Sequence, residues 1–260
     1  MPEWKFNPEK FFEALKEHWT LFAKNADASM FVIGNSGGKD SAVCIYAAAK
    51  IFGPKNVIAV SMPNGIQSDI SDAEEVVRNT GVNHYTLNIN PQTTCWLEQL
   101  MEMGIEPTEQ TKINLPPRVR MATLYAIAQS FFRAFVVNTD NYDERVTGYF
   151  TMYGDGAGDY APLRGLTVSE VIEFGEWLGI PDHLIHKKPG DGLQALGDED
   201  RLGFKYADLD NFIRYNGGTD EFKKTILERY NKNRFKTDIV DIPGPKCIEY
   251  PNAILEMMPF

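Results

Sequence analysis

The chain has 260 residues and a formal net charge of −10, with 43% hydrophobic and 24% charged residues. These values are typical of a globular protein with a full core, and no apolar run in the sequence approaches the roughly 18 residues of a membrane span. The acidic balance argues against a nucleic-acid-binding protein, which usually carries a basic face. The N-terminal residues lack the apolar core of a signal peptide, so we expect a cytoplasmic protein without nucleic-acid or membrane partners.

The first half of the chain alternates helical and strand patterns. Apolar residues at helical spacing predict a helix over residues 8–25. We predict strands over 30–33, 57–61, 84–89 and 135–138, and helices over 40–52, 69–80, 92–103 and 118–132. Residues 104–117 are polar and contain prolines, so we expect an irregular segment there. This alternation predicts an α/β fold, a doubly wound parallel sheet with helices on both faces.

The second half is rich in loops and helices. Apolar periodicity predicts helices over 167–179, 205–214 and 218–233. No repeat, low-complexity segment or linker divides the sequence. We therefore expect a single domain over residues 1–260, with an N-terminal helix in 1–29 and a C-terminal helix and lid or tail in 218–260.

The stretch MFVIGNSGGKDS at residues 30–41 is typical of a strand, a glycine turn and the start of a helix. Backbone N–H groups of such a turn and the helix dipole together form an anion site. Gly37 and Gly38 have no Cβ, so phosphate oxygens can approach the main chain there. The stretch is not a Walker A loop, because Asp40 rather than Ser or Thr follows Lys39.

Ligands of parallel sheets bind beyond the carboxyl ends of the strands, where this loop, residues 62–65 and residues 138–140 are all predicted to fall. The loop resembles the SGGxDS loop of the ATP pyrophosphatases, which implies an adenine nucleotide alpha hydrolase-like fold. Three further segments carry the resemblance: NLPPRVRM at 114–121, NTDNYDERVTGYFTMYGDGAGDYAPLRGL at 138–166 and DEDRLGFKYADLD at 198–210. In order and spacing they are similar to the ammonia-dependent NAD synthetases, over roughly residues 30–240.

The resemblance implies a ligase that converts deamido-NAD, ATP and ammonia into NAD, AMP and pyrophosphate through an adenylated intermediate. It also implies magnesium as cofactor, ATP as co-substrate and a homodimer. Glutamine-dependent relatives carry an additional glutaminase domain. The residues ahead of Met30 cannot form such a domain, so we expect ammonia that is free or delivered by another chain.

The resemblance also assigns residues. Asp40, Glu144 and Asp155 are expected to be catalytic, and Asp40 and Glu144 are expected to hold magnesium. The implied ATP-binding residues are Gly34, Asn35, Ser36, Gly37, Gly38, Lys39, Asp40, Ser41 and Thr139. The implied deamido-NAD-binding residues are Asn114, Arg118, Tyr149, Asp155, Asp159 and Lys236.

Each assignment has a structural alternative. Asp40 can cap a helix, Tyr149 can be a core residue, and Asp155 and Asp159 can cap turns. The alternative for Arg120 is a position on the helix surface, without a role in binding.

The sequence departs from the family pattern at several cationic positions. Met152 and Val168 stand where lysines are usual, residues 189–193 replace a PSADL-like segment, and Lys236 alone represents the lid pair. Possible replacements for the missing charges are Lys39, Lys187, Lys188 and Lys205. Two different functions therefore stay open: another adenylating ligase of the superfamily, such as a tRNA thiolase or a different amide ligase, and a catalytically silent nucleotide-binding protein.

Overall fold

The computed structural model describes residues 5–65, 70–187 and 198–238. Within these ranges four parallel strands form one sheet in the order β3-β2-β1-β4. They are β1 (Met30–Gly34), β2 (Val57–Ser61), β3 (Asn83–Thr86) and β4 (Ala134–Val137). Strand β1 pairs with β2 on one side and with β4 on the other, so the strand order reverses at β1. The predicted doubly wound parallel sheet is confirmed.

Helices connect these strands and continue to the end of the described chain. They are α1 (Pro8–Ala26), α2 (Lys39–Phe52), α3 (Ile70–Thr80), α4 (Asn90–Glu102), α5 (Glu109–Gln129), α6 (Tyr142–Thr147), α7 (Val168–Leu178), α8 (Asp182–Ile185), α9 (Asp198–Leu202), α10 (Tyr206–Tyr215) and α11 (Asp220–Asp238). Searched over the described ranges, no helix has both the length and the apolar character needed to cross a membrane. The cytoplasmic location stays a prediction.

The sheet separates two apolar cores. Side chains alternate across a strand, so Phe31 and Ile33 of β1 join the core under α1, α2 and α7, while Val32 joins the core under α5. In the first core the buried ring of Trp19 stacks on Tyr160 with centroids 4.7 Å apart. Burial of both sheet faces leaves the strand ends as the place where polar side chains can meet a ligand.

A third apolar cluster joins the last helices to the rest of the molecule. Its buried residues include Val146 of α6, Val168 of α7, Phe212 of α10 and Ile226 of α11. The C-terminal helices thus pack on α6 and on the start of α7. The division of the chain into one domain stays a prediction.

The prediction of an irregular segment over residues 104–117 is wrong for most of its length, because α5 already begins at Glu109. The side chain of Thr108 accepts a hydrogen bond from the Thr111 amide at 3.2 Å and so starts the helix. Pro116 lies inside α5, where proline removes a helical hydrogen bond, but it is buried in the second core together with Leu115. Burial against the sheet offsets that local penalty.

Candidate active site

The loop between β1 and α2 has the backbone geometry of an anion cradle. Gly37 has a φ of 78°, a left-handed conformation that glycine adopts without strain. The Ser36 hydroxyl accepts a hydrogen bond from the Gly38 amide at 3.2 Å, and the Ser41 hydroxyl donates to the Gly38 carbonyl at 2.9 Å. Among the described residues no side chain caps the N-terminus of α2, and a helix N-terminus favours a bound anion.

Other residues of the loop anchor it. The Asn35 side chain is buried and donates to the Ala73 carbonyl of α3 at 2.9 Å, and the Asn35 amide donates to the Val60 carbonyl of β2 at 2.8 Å. Lys39 is also buried, and its Nζ lies 2.9 Å from Oδ2 of Asp40. Gly34 ends β1, and Thr139 follows β4 at the same edge of the sheet. The predicted ATP-binding residues therefore gather around the ends of two adjacent strands.

Three carboxylates, from Asp40, Asp140 and Glu144, meet beside this loop. Asn141 joins two of them: its Nδ2 donates to Oδ1 of Asp40 at 3.3 Å, and its backbone N–H donates to Oε2 of Glu144 at 2.9 Å. Burial raises the pKa of Glu144 well above its usual value, and the negative charges of Asp40 and Asp140 raise it further. Burial raises the pKa of Asp140 as well, with contributions from Asp155 and Asp40. This part of the site therefore has an excess of negative charge.

The donor set fits magnesium. Carboxylate oxygens are ligands that Mg²⁺ prefers, and a divalent cation would relieve the repulsion between Asp40 and Glu144. Over the described part of the chain, no group of three or more His, Cys, Asp or Glu side chains could hold a metal ion by itself. Magnesium is usually bound by one or two carboxylates together with substrate phosphates and water, which this pair could provide beside the phosphate loop.

Glu144 owes its position to α6, which has six residues. A helix this short cannot be predicted from apolar periodicity. The Asn141 side chain accepts a hydrogen bond from the Glu144 amide at 3.1 Å, and the Glu144 carboxylate accepts from the Asn141 amide. This capping box starts the helix, and Gly148 ends it in a left-handed conformation with φ 64°. Glu144 is thus fixed in the first turn of α6, the helix that follows β4.

Asp155 lies in the loop that follows α6. Its Oδ1 accepts a hydrogen bond from the Thr151 amide at 2.8 Å, and the Thr151 hydroxyl donates to Oδ1 of Asn114 on α5 at 2.9 Å. Asn138, directly after β4, donates from its Nδ2 to the Asp155 carbonyl at 2.8 Å. Burial raises the pKa of Asp155, and the charge of Arg120 opposes that shift. The structure thus brings the predicted residues Asn114 and Asp155 together at the edge that holds the acids.

Asp159 and Tyr149 are engaged elsewhere. Oδ1 of Asp159 accepts from the Tyr125 hydroxyl at 3.1 Å and Oδ2 accepts from the Val136 amide at 2.8 Å, so this carboxylate ties β4 to α5. The Tyr149 hydroxyl accepts from Nη1 of Arg201 at 3.5 Å, and its ring packs on the third apolar cluster. Contacts of these two residues with a substrate stay predictions.

The two arginines of α5 both reach loops at the site. Nε of Arg118 donates to the Met152 carbonyl at 3.4 Å, and Nε of Arg120 donates to the Met62 carbonyl, just beyond β2, at 3.1 Å. Residues two apart on a helix point in different directions, and Arg120 is half-buried whereas Arg118 is exposed. A surface position, the alternative given for Arg120, is therefore only partly met, because its side chain also reaches the strand end.

The sequence analysis placed residues 138–140 at this edge but gave Asp140 no role, and it missed Asn141. The signal was available, because both polar residues come directly after a buried strand at the edge where ligands bind. The family resemblance points instead to Thr139 and Glu144, which flank them.

The lysines considered as replacements occupy different places. Lys187 donates to Oδ2 of Asp72 on α3 at 2.7 Å, and Lys205 is exposed ahead of α10. Lys236 donates to the carbonyls of Gly148 and Phe150 at 2.7 and 2.9 Å, and its contact with substrate stays a prediction. The sequence also predicts a lid over residues 190–200, because that segment is rich in glycines and acids. Lys188 and residues 190–197 lie outside the described residues.

The segment that contains this whole site matches a known protein family. Residues 12–240 match the sequence model of the NAD synthase family. The chain belongs to this family. Among NAD synthase relatives, the NH3-dependent NAD⁺ synthetase of Thermococcus kodakarensis is 43% identical over 184 residues, covering 70% of this chain and 71% of that protein.

Other NAD synthase relatives match over nearly the full length. The NH3-dependent NAD⁺ synthetase of Carboxydothermus hydrogenoformans is 32% identical over 243 residues, covering 92% of this chain and 98% of its own. Among solved structures, NMN synthetase from Francisella tularensis superposes with a TM-score of 0.83 at 33% identity, covering 92% of this chain and 99% of that one. The family resemblance predicted from the sequence segments is confirmed.

Proposed function

We propose that this chain is an ammonia-dependent NAD synthetase, a ligase that forms a C–N bond between deamido-NAD and ammonia while ATP is cleaved to AMP and pyrophosphate. The observation that carries the proposal is the Asp40–Asn141–Glu144 arrangement beside an uncapped helix N-terminus. It joins an anion cradle to a pair of carboxylates, as magnesium–ATP chemistry requires. The family's NH3-dependent members support the same reaction.

In the first step the nicotinate carboxylate attacks the α-phosphorus of ATP, and pyrophosphate leaves. Negative charge grows on the departing phosphates, next to the N–H groups of the first turn of α2. Ser36 and Ser41 hold the turn in shape through their hydrogen bonds with Gly38. Magnesium, when bound by Asp40 and Glu144, supplies positive charge to the same phosphate oxygens.

In the second step ammonia attacks the activated carboxyl carbon, and AMP leaves with the electrons of the broken C–O bond. Ammonium must first lose a proton, because only neutral ammonia has the lone pair for this attack. Asp155 is proposed to receive that proton, since its burial raises its pKa and makes it a stronger base than an exposed aspartate. The Thr151 amide fixes the carboxylate in place.

A second candidate function differs only in the size of the acid substrate. The solved structure at TM-score 0.83 is of an NMN synthetase, at 33% identity over nearly its whole chain. Deamido-NAD contains nicotinate mononucleotide as one half, so the contacts to nicotinate, ribose and the first phosphate would serve either acid. The mononucleotide is therefore the second candidate substrate. Whether the site also binds the adenylate half of deamido-NAD decides between the two.

One assay tests the function and separates the candidates. Purified protein is given ATP, MgCl₂ and an ammonium salt together with deamido-NAD or nicotinate mononucleotide, and amide product, AMP and pyrophosphate are quantified. We expect all three products in equal amounts, with the larger kcat/KM for deamido-NAD. A larger value for the mononucleotide would establish the second candidate.

The same assay detects a different ligase or a silent nucleotide-binding protein. Pyrophosphate release that appears only with a different acceptor, another carboxylic acid or a tRNA, would point to a different adenylating ligase of the superfamily. Absence of pyrophosphate with every acceptor tested, while ATP still binds, would identify a catalytically silent protein.

We further propose that two copies of the chain associate through α4 and the start of α5. Five large apolar side chains in this region are between 49% and 71% exposed: Trp96, Met101, Met103, Ile105 and Ile113. Monomers rarely leave so many apolar groups exposed in one region, and a second copy would cover them. Sedimentation at micromolar protein should give twice the chain mass of 29.4 kDa, and a value at the chain mass would contradict the dimer.

A further inference from the structure

Helix α11 contacts the C-terminal end of α6 through three side chains on one face. Arg229, Asn233 and Lys236 are four and three residues apart, the spacing that aligns side chains along a helix. Nε of Arg229 and Nδ2 of Asn233 donate to the Thr147 carbonyl at 3.4 and 3.1 Å. Nζ of Lys236 donates to the Gly148 and Phe150 carbonyls at 2.7 and 2.9 Å.

These contacts meet a need of α6. The last carbonyls of any helix lack partners within the helix, and a six-residue helix has few internal hydrogen bonds to stabilise it. The side chains of α11 satisfy carbonyls at and just beyond the end of α6. A Cβ at Gly148 would lie 2.3 Å from Cβ of Asn233, so the two segments are in direct contact at that point.

The other end of α6 carries the site. Asn141 caps the helix and bridges Asp40 to Glu144, while the Tyr149 amide donates to the Glu144 carbonyl at 2.9 Å. Because α6 has only six residues, a displacement of its C-terminus also displaces its N-terminus. Lys236 adds a second connection, because Phe150 belongs to the loop that leads to Asp155.

We propose that Arg229, Asn233 and Lys236 are positioning residues that hold α6 and the 148–150 segment in place and thereby set the position of Glu144 and Asp155. The inference rests on the proposed function for the roles of Glu144 and Asp155, and on the contacts alone for the role of α11. In this proposal the contacts of Lys236 act in the protein without substrate. The side-chain ammonium of Lys236 lies 5.3 Å from the centre of the Phe150 ring, which supports the same segment.

The experiment compares two variants with a matched control. Lys236→Met keeps the aliphatic stem but loses the donors to both carbonyls, and Asn233→Asp keeps the shape but replaces the donor with an acceptor. Lys232→Met is the control, because Lys232 is exposed on the same helix. Lys236→Arg restores donors at the same place and serves as the rescue variant.

Two readouts are needed. The first is hydrogen exchange of the amides of residues 142–150 in the protein without substrates, and the second is kcat and KM in the amide-forming assay. We expect both test variants to exchange faster in 142–150 and to lose kcat/KM by a factor on the order of 100, mainly through kcat. Lys236→Arg should recover most of both losses, and Lys232→Met should match the wild type.

Wild-type exchange and wild-type kcat in both test variants would overturn the proposal. An increase of the KM for deamido-NAD alone, with exchange unchanged, would return Lys236 to a substrate-binding role and would also overturn it. Should Lys236→Met fail to fold, Asn233→Asp decides by the same measurements. A wild-type protein without ligase activity would refute the proposed function, while hydrogen exchange would still test the role of α11.

Discussion

At the scale of single residues, Asn141 makes the two proposed magnesium ligands into one unit. It bonds Asp40 of α2 and Glu144 of α6, two residues that the chain supplies from opposite sides of the switch in strand order. The charges of Asp40 and Asp140 raise the pKa of Glu144, and the nearby charge of Lys39 opposes that shift. Asp40 therefore repels one buried neighbour, Glu144, and pairs with another, Lys39.

The substitution Asp40→Asn tests the metal role of Asp40. The amide keeps the size of the side chain but loses the charge that attracts magnesium, so turnover should fall below detection. The melting temperature without ligands should change little, because the repulsion between Asp40 and Glu144 and the attraction between Asp40 and the buried Lys39 are lost together. Enzyme assays measure the turnover, and thermal unfolding measures the melting temperature. Normal turnover at ordinary magnesium would refute the metal assignment, and Asp27→Asn, on the exposed end of α1, is the control.

A second residue-scale prediction concerns Asp155→Asn. Without the carboxylate, deprotonation of ammonium loses its base, and the rate of amide formation should fall on the order of 10²–10⁴-fold. ATP affinity should be unchanged, since Asp155 lies in a different loop from the phosphate cradle. The deficit should shrink as the pH approaches the pKa of ammonium, because free ammonia then needs no base. A deficit that is constant across that pH range would rule out proton transfer to Asp155.

At the scale of elements, the start of α7 gathers three acids, one of which pairs with an arginine. Nε and Nη2 of Arg214 on α10 each lie 2.6 Å from an oxygen of Glu170 on α7, and both residues are buried. Asp143 of α6 and Asp210 of α10 accept from the first two amides of α7 at 2.6 and 3.0 Å. Burial raises the pKa of Glu170 even though Arg214 opposes the shift. The ion pair of Arg214 with Glu170 thus joins α10 to α7.

Arg214→Met should therefore destabilise the protein strongly. Methionine fills much of the volume but leaves the Glu170 carboxylate buried without its partner, which costs about 3–5 kcal/mol of unfolding free energy. Denaturant unfolding measures the loss. Arg78→Met is the control, because Arg78 is exposed in a surface pair with Glu74 whose removal costs about 0–1 kcal/mol. Equal small losses in both variants would contradict the role given to Arg214.

The elements also show what the sequence could and could not predict. Strands β1, β2 and β4 and most of the longer helices followed from apolar periodicity, because one or both of their faces are buried. Strand β3 is mostly exposed and ends at Thr86, so the prediction of a strand over 84–89 is wrong beyond that residue. Helix α5 began earlier than predicted, since burial of Leu115 and Pro116 outweighed the helix-breaking signal of proline. The partners of Lys236 could not be predicted, because they are backbone carbonyls some 86–88 positions away that only the tertiary fold brings close.

At the scale of the whole molecule, α1 is joined to the sheet by a hydrogen bond that depends on protonation. Nδ1 of His18 lies 3.0 Å from the hydroxyl of Tyr160, whose ring is buried against Trp19. Burial lowers the pKa of His18 below its ordinary 6.5. The folded protein thus favours the neutral imidazole, while the unfolded chain takes up a proton at about the ordinary pKa.

The sign of the resulting pH dependence follows from linkage. Below pH 6.5 the unfolded state binds more protons at His18 than the folded state, so the contribution of His18 to stability falls as the pH drops through that value. His18→Gln removes this titration but keeps a group that can hydrogen-bond to Tyr160. The wild type should lose stability relative to His18→Gln between pH 7 and 5.5, as measured by denaturant unfolding at each pH. A constant difference between the two proteins would contradict the prediction.

The contacts between α11 and α6 also determine when the site can form during synthesis. Asp40 and the phosphate loop leave the ribosome early, whereas Lys236 follows on the order of ten seconds or more later at ordinary elongation rates. During that interval α6 lacks the donors for its last carbonyls, so on the proposal above the position of Glu144 beside Asp40 is not yet held by α11. A nascent chain can therefore present an anion cradle long before it can present a metal site. Chains released before α11 is made should bind polyphosphate weakly at most and should depend on chaperones to avoid aggregation through their uncovered third apolar cluster.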